Sequence, residues 1–307
     1  MSELDHELAL TAEQQLALVT LDDVRRAGGG RDHLYDRARA GRIERVAPTV
    51  YRVRGAPRSP DTQLLANVLS APGLAAVSHL AAARRLKIPG YRDAPPEITV
   101  PRGTRLRRSG LIVHESTDLD RCKIVDVDGI PTTETGRTLL DLARFVGPRR
   151  LLRNIEWCRR QELVDWPELF DVLAAHARRG RPGIRLLREA IAANSHRIEV
   201  ADTDVELLVI ALLREHGLPE PELHHRVYQG DRFVAELDLA YPARKIALEC
   251  DGDVHLLPEV RERDLARQND LELLGWLVLR FTSERYWKRP TSIVSEVAAA
   301  IRQRPPT

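Results

Sequence analysis

Two short acidic segments constrain this chain most. Glu236-Leu-Asp238 is followed, eleven residues after Asp238, by Glu249-Cys-Asp251-Gly252. Both read as β-strands. The two-residue strand period puts Phe233, Ala235, Leu237, Leu239 and Tyr241 on one side and Glu236 and Asp238 on the other. In the next segment Ile246, Leu248 and Cys250 oppose Lys245, Ala247, Glu249 and Asp251. Carboxylates are depleted in strands, and like charges facing across a ladder destabilise it. A hairpin pairing of the two segments brings Asp238 and Glu249 together, so the cluster calls for a compensating cation. Two oxygen donors suit Mg²⁺, or Mn²⁺, which keeps water and phosphate oxygens in its remaining positions.

The surrounding segment, from residue 202, reads helix, strand, strand, strand, helix, strand. The first helix spans about Asp204–His216, with Leu208, Val209, Leu212 and Leu213 as its apolar stripe and Gly217 as its stop. Strands follow at Leu223–Tyr228, Phe233–Tyr241 and Lys245–Asp251, then a charged helix at Val260–Leu274 and a buried strand at Trp276–Phe281. Glu206 on the first helix offers a third acid. It also stands three residues after Thr203, the spacing of a capping box.

This order resembles the PD-(D/E)xK nuclease superfamily, above all its very-short-patch-repair-like endonuclease branch, over Asp202–Trp287. The matching residues are Glu206, Asp238 in Glu-Leu-Asp-Leu, Glu249-Cys-Asp-Gly-Asp-Val-His255, Arg263-Asp-Leu-Ala-Arg-Gln-Asn-Asp270 and Gly275-Trp-Leu-Val-Leu-Arg280. The resemblance implies Mg²⁺-dependent cleavage of DNA, with Asp238 and Glu249 as metal ligands. The superfamily's lysine two residues after the Glu is Asp251 here, which cannot supply positive charge to the reaction. His255 fits the place of a downstream acid, base or phosphate contact. Arg263 and Arg267 are the candidate replacements for the missing cation.

Residues 12–27 carry an apolar period through Leu16, Val19 and Val24, with Thr20 as a cap. Gly28-Gly-Gly30 breaks this helix. A second, Arg31–Ala40, buries Leu34 and Ala38, and two strands follow at 42–46 and 49–53. Helix, turn, helix and wing is the winged helix-turn-helix order. Residues 21–58 hold ten Arg and no Lys against five acids. Arg31, His33, Arg37 and Arg39 on the helix, and Arg42, Arg45 and Arg52 on the wing, form the candidate DNA-binding footprint. A basic face used for protein contact is the alternative. Arg39-Ala-Gly-Arg-Ile43 and Pro48-Thr-Val-Tyr-Arg-Val53 resemble the N-terminal winged helix of AbiEi-type antitoxins, with Thr49 where that family has Gly. The resemblance implies a toxin-like protein partner.

Residues 62–196 begin with helices at Gln63–Ser70 and around Ser78–Arg84. Strands Glu97–Val100 and Leu111–His114 flank an arginine-rich hairpin tip, Arg102 to Arg108. Ile130–Ala143 also resembles the antitoxin family, and no chemistry is legible here. His79 and His114, each beside apolar residues, read as packed or surface side chains. Helices fill 147–196, broken at Arg178–Gly183.

The whole is expected to be an α+β multidomain chain: a winged helix-turn-helix at 1–58, an α/β antitoxin-like domain at 59–196 and a restriction-endonuclease-like α/β domain at 197–307. Net charge is +2 from 47 basic and 45 acidic residues, so basic character is local. Cys122, Cys158 and Cys250 have no CxxC spacing, and no apolar run spans a bilayer. A cytoplasmic protein is expected. Two functions fit: a DNA-binding Mg²⁺ endonuclease, or a non-enzymatic regulator or antitoxin with a degenerate nuclease fold. An RNA-directed nuclease is a third.

Overall fold

Helix α1 (Glu3–Gln14) ends where Leu16 and Ala17 enter the left-handed region, at φ 49° and 64°. Strand β1 (Leu18–Thr20) follows, so the apolar period of Leu16 and Val19 belongs to a turn and a strand, not to a helix beginning at residue 12. Leu18 and Val19 are buried, and β1 pairs with a later strand. The computed structural model describes residues 3–194, 202–251 and 267–306. It divides into two units, Met1–Leu163 and Val164–Thr307.

Thr20 caps helix α2 (Leu21–Arg26) in a capping box with Asp23. Its hydroxyl accepts from the Asp23 N–H at 3.0 Å, and the Asp23 carboxylate accepts from the Thr20 N–H at 2.7 Å. Thr20→Ala should cost about 1 kcal/mol, read as a drop of about 2–4 °C in the thermal midpoint of its unit. Helix α3 (Arg31–Arg39) buries Leu34, with Ala38 packed beside it. Strands β2 (Ile43–Ala47) and β3 (Val50–Val53) complete a sheet ordered β1-β3-β2.

The rest of this unit is a second sheet covered by helices. Helix α4 (Pro60–Leu69) starts at Ser59, whose hydroxyl accepts from the Thr62 N–H. Strand β4 (Ala76–Val77) leads into α5 (His79–Arg85). Strands β5 (Glu97–Pro101), β6 (Ile112–Ser116), β7 (Ile124–Val127) and β8 (Ile130–Thr133) give the order β6-β5-β4-β8-β7. Here β5 and β6 run parallel, so 102–111 is a crossover rather than the expected hairpin tip. Leu106 and Leu111 tuck into the core, and Arg108 donates to Asn67 Oδ1 at 3.2 Å instead of standing in solvent. Helices α6 (Thr135–Leu142) and α7 (Pro148–Arg160) follow. Arg137 on α6 is wholly buried, donating to both Asp141 oxygens at 3.1 Å, with Asp118 at 3.5 Å and Ser116 at 3.4 Å.

In the second unit, α8 (Trp166–His176) and α9 (Ile184–Ala192) are separated by the Arg178–Gly183 break, where Gly183 holds φ 88°. Helix α10 (Asp202–Glu215) packs on α8. Thr203 lies in the first turn of α10 by its backbone, and its expected capping box with Glu206 falls outside the described side chains. Strands β9 (Glu222–Gln229), β10 (Arg232–Tyr241) and β11 (Ile246–Asp251) form an antiparallel meander. A described helical turn at 267–273, α11, precedes β12 (Leu277–Thr282), which runs parallel to β11. The order is β12-β11-β10-β9, so β12 is a half-buried edge strand rather than a fully buried one. A register shift between Phe233 and Ala235 turns Phe233 outward against Tyr228, away from the apolar side expected for it. Helices α12 (Ser283–Lys288) and α13 (Pro290–Gln303) close the chain. No described helix is long and apolar enough to cross a membrane.

Candidate active site

The β10–β11 register pairs Leu239 with Leu248 and Ala240 with Ala247. The ladder stops there, and the Cys250 N–H turns to the Asp238 carboxylate, which keeps Asp238 beside Glu249. Between the pairs Leu237↔His225 and Leu239↔Leu223, His224 flanks Asp238 on the other side, with a left-handed backbone at φ 52°. On β12, Arg280 is the direct partner of Glu249. A row His224, Asp238, Glu249, Arg280 thus crosses all four strands. Leu271 of α11 joins Ala240 and Ala247 in one apolar cluster, and Arg267 of the same helix reaches Glu249.

The Glu249 carboxylate is only 4% exposed. Its Oε2 accepts from Arg267 Nη2 at 2.9 Å, while Oε1 is buried with no hydrogen-bond partner among the described residues. Asp238 Oδ2 accepts from the Cys250 N–H at 2.7 Å, which fixes that carboxylate against β11. Burial pushes the Glu249 pKa above its ordinary value; Asp238 adds to the rise, and Arg267 and Arg280 oppose it. An orphaned carboxylate oxygen beside a second carboxylate is a donor set that fits a hard divalent cation. Asp238 and Glu249 would hold it.

The rise in the Glu249 pKa has a testable sign. The folded chain keeps this proton over a window in which the unfolded chain has lost it. The stability it contributes is full below the unfolded value and is lost as pH climbs through the folded one. Glu249→Gln removes that loss. Without metal, the variant should melt higher than the wild type, by about 1 kcal/mol near neutral pH, with the gap shrinking toward about pH 4.

Glu206 is buried on α10 and lies 3.6 Å from His224 Nε2. It does not close a tight three-donor cluster with Asp238 and Glu249; among the described residues the one such group lies elsewhere in the chain. Asp251 is placed by its backbone, opposite Thr282 on β12. Its side chain, His255 and Arg263 lie outside the described residues. Arg267, expected to meet phosphate, pairs with Glu249 in this structure. His224 and Arg280 were missed. Strand alternation carries the signal for Arg280 once the register is known, but at His224 the left-handed backbone, φ 52°, breaks the alternation.

In the N-terminal unit, Arg31, His33, Arg39, Arg42 and Arg45 are exposed or half-buried. His33 Nδ1 accepts from the Gly30 N–H, closing the start of α3. Arg37 is drawn back onto Asp5 of α1. Arg52 is the clear departure: expected on the open wing, it is 4% exposed and pairs with Glu44, its neighbour across the β2–β3 ladder. Its Nη1 also donates to the Ala56 carbonyl at 3.1 Å.

The family model REase_MTES_1575 matches residues 206–301. The C-terminal domain is therefore restriction-endonuclease-like. The match spans β9 to β12 and contains Glu206, Asp238 and Glu249. The chain is also similar to two uncharacterized proteins of Mycobacterium tuberculosis, one from strain CDC 1551 / Oshkosh and one from strain H37Rv. Each is 27% identical over 199 residues, covering 64% of this chain and 70% of the relative.

Proposed function

We propose that this chain is a DNA-binding protein whose C-terminal domain cleaves DNA phosphodiesters with Mg²⁺ or Mn²⁺. The observation that carries the reading is the buried, half-orphaned Glu249 carboxylate beside Asp238 within the restriction-endonuclease-like segment. When bound, the cation would supply Lewis-acid stabilisation of the phosphate oxygens and a more acidic water. Asp238 and Glu249 hold it. Arg267 and Arg280 provide the positive charge that Asp251 cannot, Arg267 by turning from Glu249 to a phosphate oxygen.

A winged-helix reading of residues 1–58 and an antitoxin-like reading of 59–196 belong to the same proposal, as does a cytoplasmic setting. Arg31, Arg39, Arg42 and Arg45 are the cations that would meet the DNA backbone. Arg31→Ala with Arg42→Ala should weaken binding across sequences and flatten the dependence of log K on log salt by about one for each phosphate no longer neutralised. Fluorescence anisotropy over a salt series measures this. An unchanged slope contradicts the footprint.

The second reading, a non-enzymatic regulator with a toxin-like partner, is favoured by one observation: Glu249 already has a cation, Arg267. Plasmid, single-stranded DNA and RNA incubated with Mg²⁺ or Mn²⁺ separate the two. Metal-dependent cutting of DNA supports the endonuclease. Cutting of RNA alone moves the substrate. Binding without cutting leaves the regulator.

A further inference from the structure

We propose that His79, Glu97 and His114 form a second metal site, in the N-terminal unit, for a borderline divalent cation of the Zn²⁺ class. The three come from three elements: His79 opens α5, Glu97 opens β5 and His114 sits in the middle of β6. One donor atom from each lies within 4.8 Å of the other two. His114 Nε2 and Glu97 Oε2 are 3.4 Å apart. Tetrahedral Zn²⁺, bonded at about 2.0–2.1 Å, sets its ligand atoms about 3.3 Å apart. The unloaded pair is near that spacing, so Glu97 is within reach of an ion held by a turned His114 ring.

The donor chemistry separates this site from the carboxylate pair on β10 and β11. Two imidazoles and one carboxylate suit Zn²⁺, Co²⁺ or Ni²⁺, and disfavour Mg²⁺ and Ca²⁺. Three protein ligands leave one tetrahedral position open. Glu97 is 3% exposed, an unusual place for a carboxylate whose hydrogen-bond partners are the Leu80 N–H at 3.2 Å and the His114 imidazole.

The supporting contacts have the form that metal sites use. His79 Nδ1 lies 2.9 Å from Ser78 Oγ, which also accepts from the Thr99 hydroxyl at 2.7 Å. Ser78 Oγ keeps a lone pair for an Nδ1–H, the tautomer that leaves His79 Nε2 free to ligate. Phe145 packs edge-on against the His79 ring at 6.0 Å and holds it in place. The His79 and His114 rings are stacked at 3.6 Å and 19°. A shared ion lies in the plane of each donor ring, so loading requires one ring to turn. His114 is the more exposed of the two and is the one that swings.

The test uses the full-length chain, stripped with chelator, loaded with Zn²⁺, desalted and analysed for bound metal. About one Zn²⁺ per chain is expected in the wild type and in Glu249→Gln, which isolates this site from the C-terminal one. His114→Gln, at the partly exposed position, should retain none, and Ser78→Ala should lose about tenfold in affinity. Co²⁺ loading should give the strong visible absorption of four-coordinate Co²⁺, absent in His114→Gln. Circular dichroism checks that each variant is folded; if His79→Gln does not fold, His114→Gln decides. No retained Zn²⁺ in the wild type, or equal retention in His114→Gln, overturns the proposal and leaves the cluster a buried polar network.

Discussion

Glu249→Ala should lower Mg²⁺-dependent DNA cleavage by about a thousandfold, with DNA binding through the N-terminal unit unchanged. A bound metal contributes several kcal/mol of charge stabilisation in such a reaction, and each 1.36 kcal/mol is about tenfold in rate. Asp238 alone cannot keep the cation. Its Oδ2 is tied to the Cys250 N–H, whereas Glu249 Oε1 has no hydrogen-bond partner among the described residues. Single-turnover cleavage beside a binding assay reads the split. A fall in binding equal to the fall in rate would point instead to unfolding or to a weakened grip on DNA.

The largest stability effect should come from Arg137→Ala in the N-terminal unit. Removing one partner of a buried ion pair typically costs about 3–5 kcal/mol, because the other charge is left without compensation. Arg137 compensates both Asp141 and Asp118, each almost fully enclosed. The expected drop in thermal midpoint is roughly 6–20 °C. Arg137→Met keeps much of the volume but takes the same positive charge from both carboxylates, so it should be nearly as damaging. A loss below about 1 kcal/mol in either variant would show that these acids take up protons or water at little cost.

The C-terminal sheet was the most legible part of the sequence. Alternation alone placed Asp238 and Glu249 on one face, because a strand leaves each side chain only two directions. Register then follows from apolar pairing, Leu239 with Leu248. What alternation cannot give is the partner that arrives from outside the sheet. Arg267 reads in sequence as a candidate phosphate cation on a charged helix, and its contact with Glu249 emerges only once α11 is set against β11. Arg52 misled for a related reason. It has the composition of an exposed wing residue, and only the pairing with Glu44 across the ladder draws it inward.

The N-terminal unit hid more. Leu16, Val19 and Val24 keep a helical spacing by coincidence, since two left-handed residues separate α1 from β1. Strands β5 and β6 look like a hairpin in sequence, yet pair in parallel, with Thr99 beside His114. That pairing, together with the β4–β5 ladder, gathers His79, Glu97 and His114 from distant positions. Each histidine alone is an ordinary packed residue. The cluster exists only once non-local strand order is known.

If Glu249 serves metal-dependent DNA cleavage rather than the stability of the fold, its loss should stop cutting without lowering the melting temperature. Mg²⁺-dependent nicking of supercoiled plasmid by the full-length protein, beside Glu249→Gln, tests it most directly. Nicking by the wild type should stop with chelator and be about a thousandfold slower in the variant, which should melt at the same or a higher temperature. Equal rates in the two proteins, or no metal-dependent nicking by the folded wild type, would contradict it.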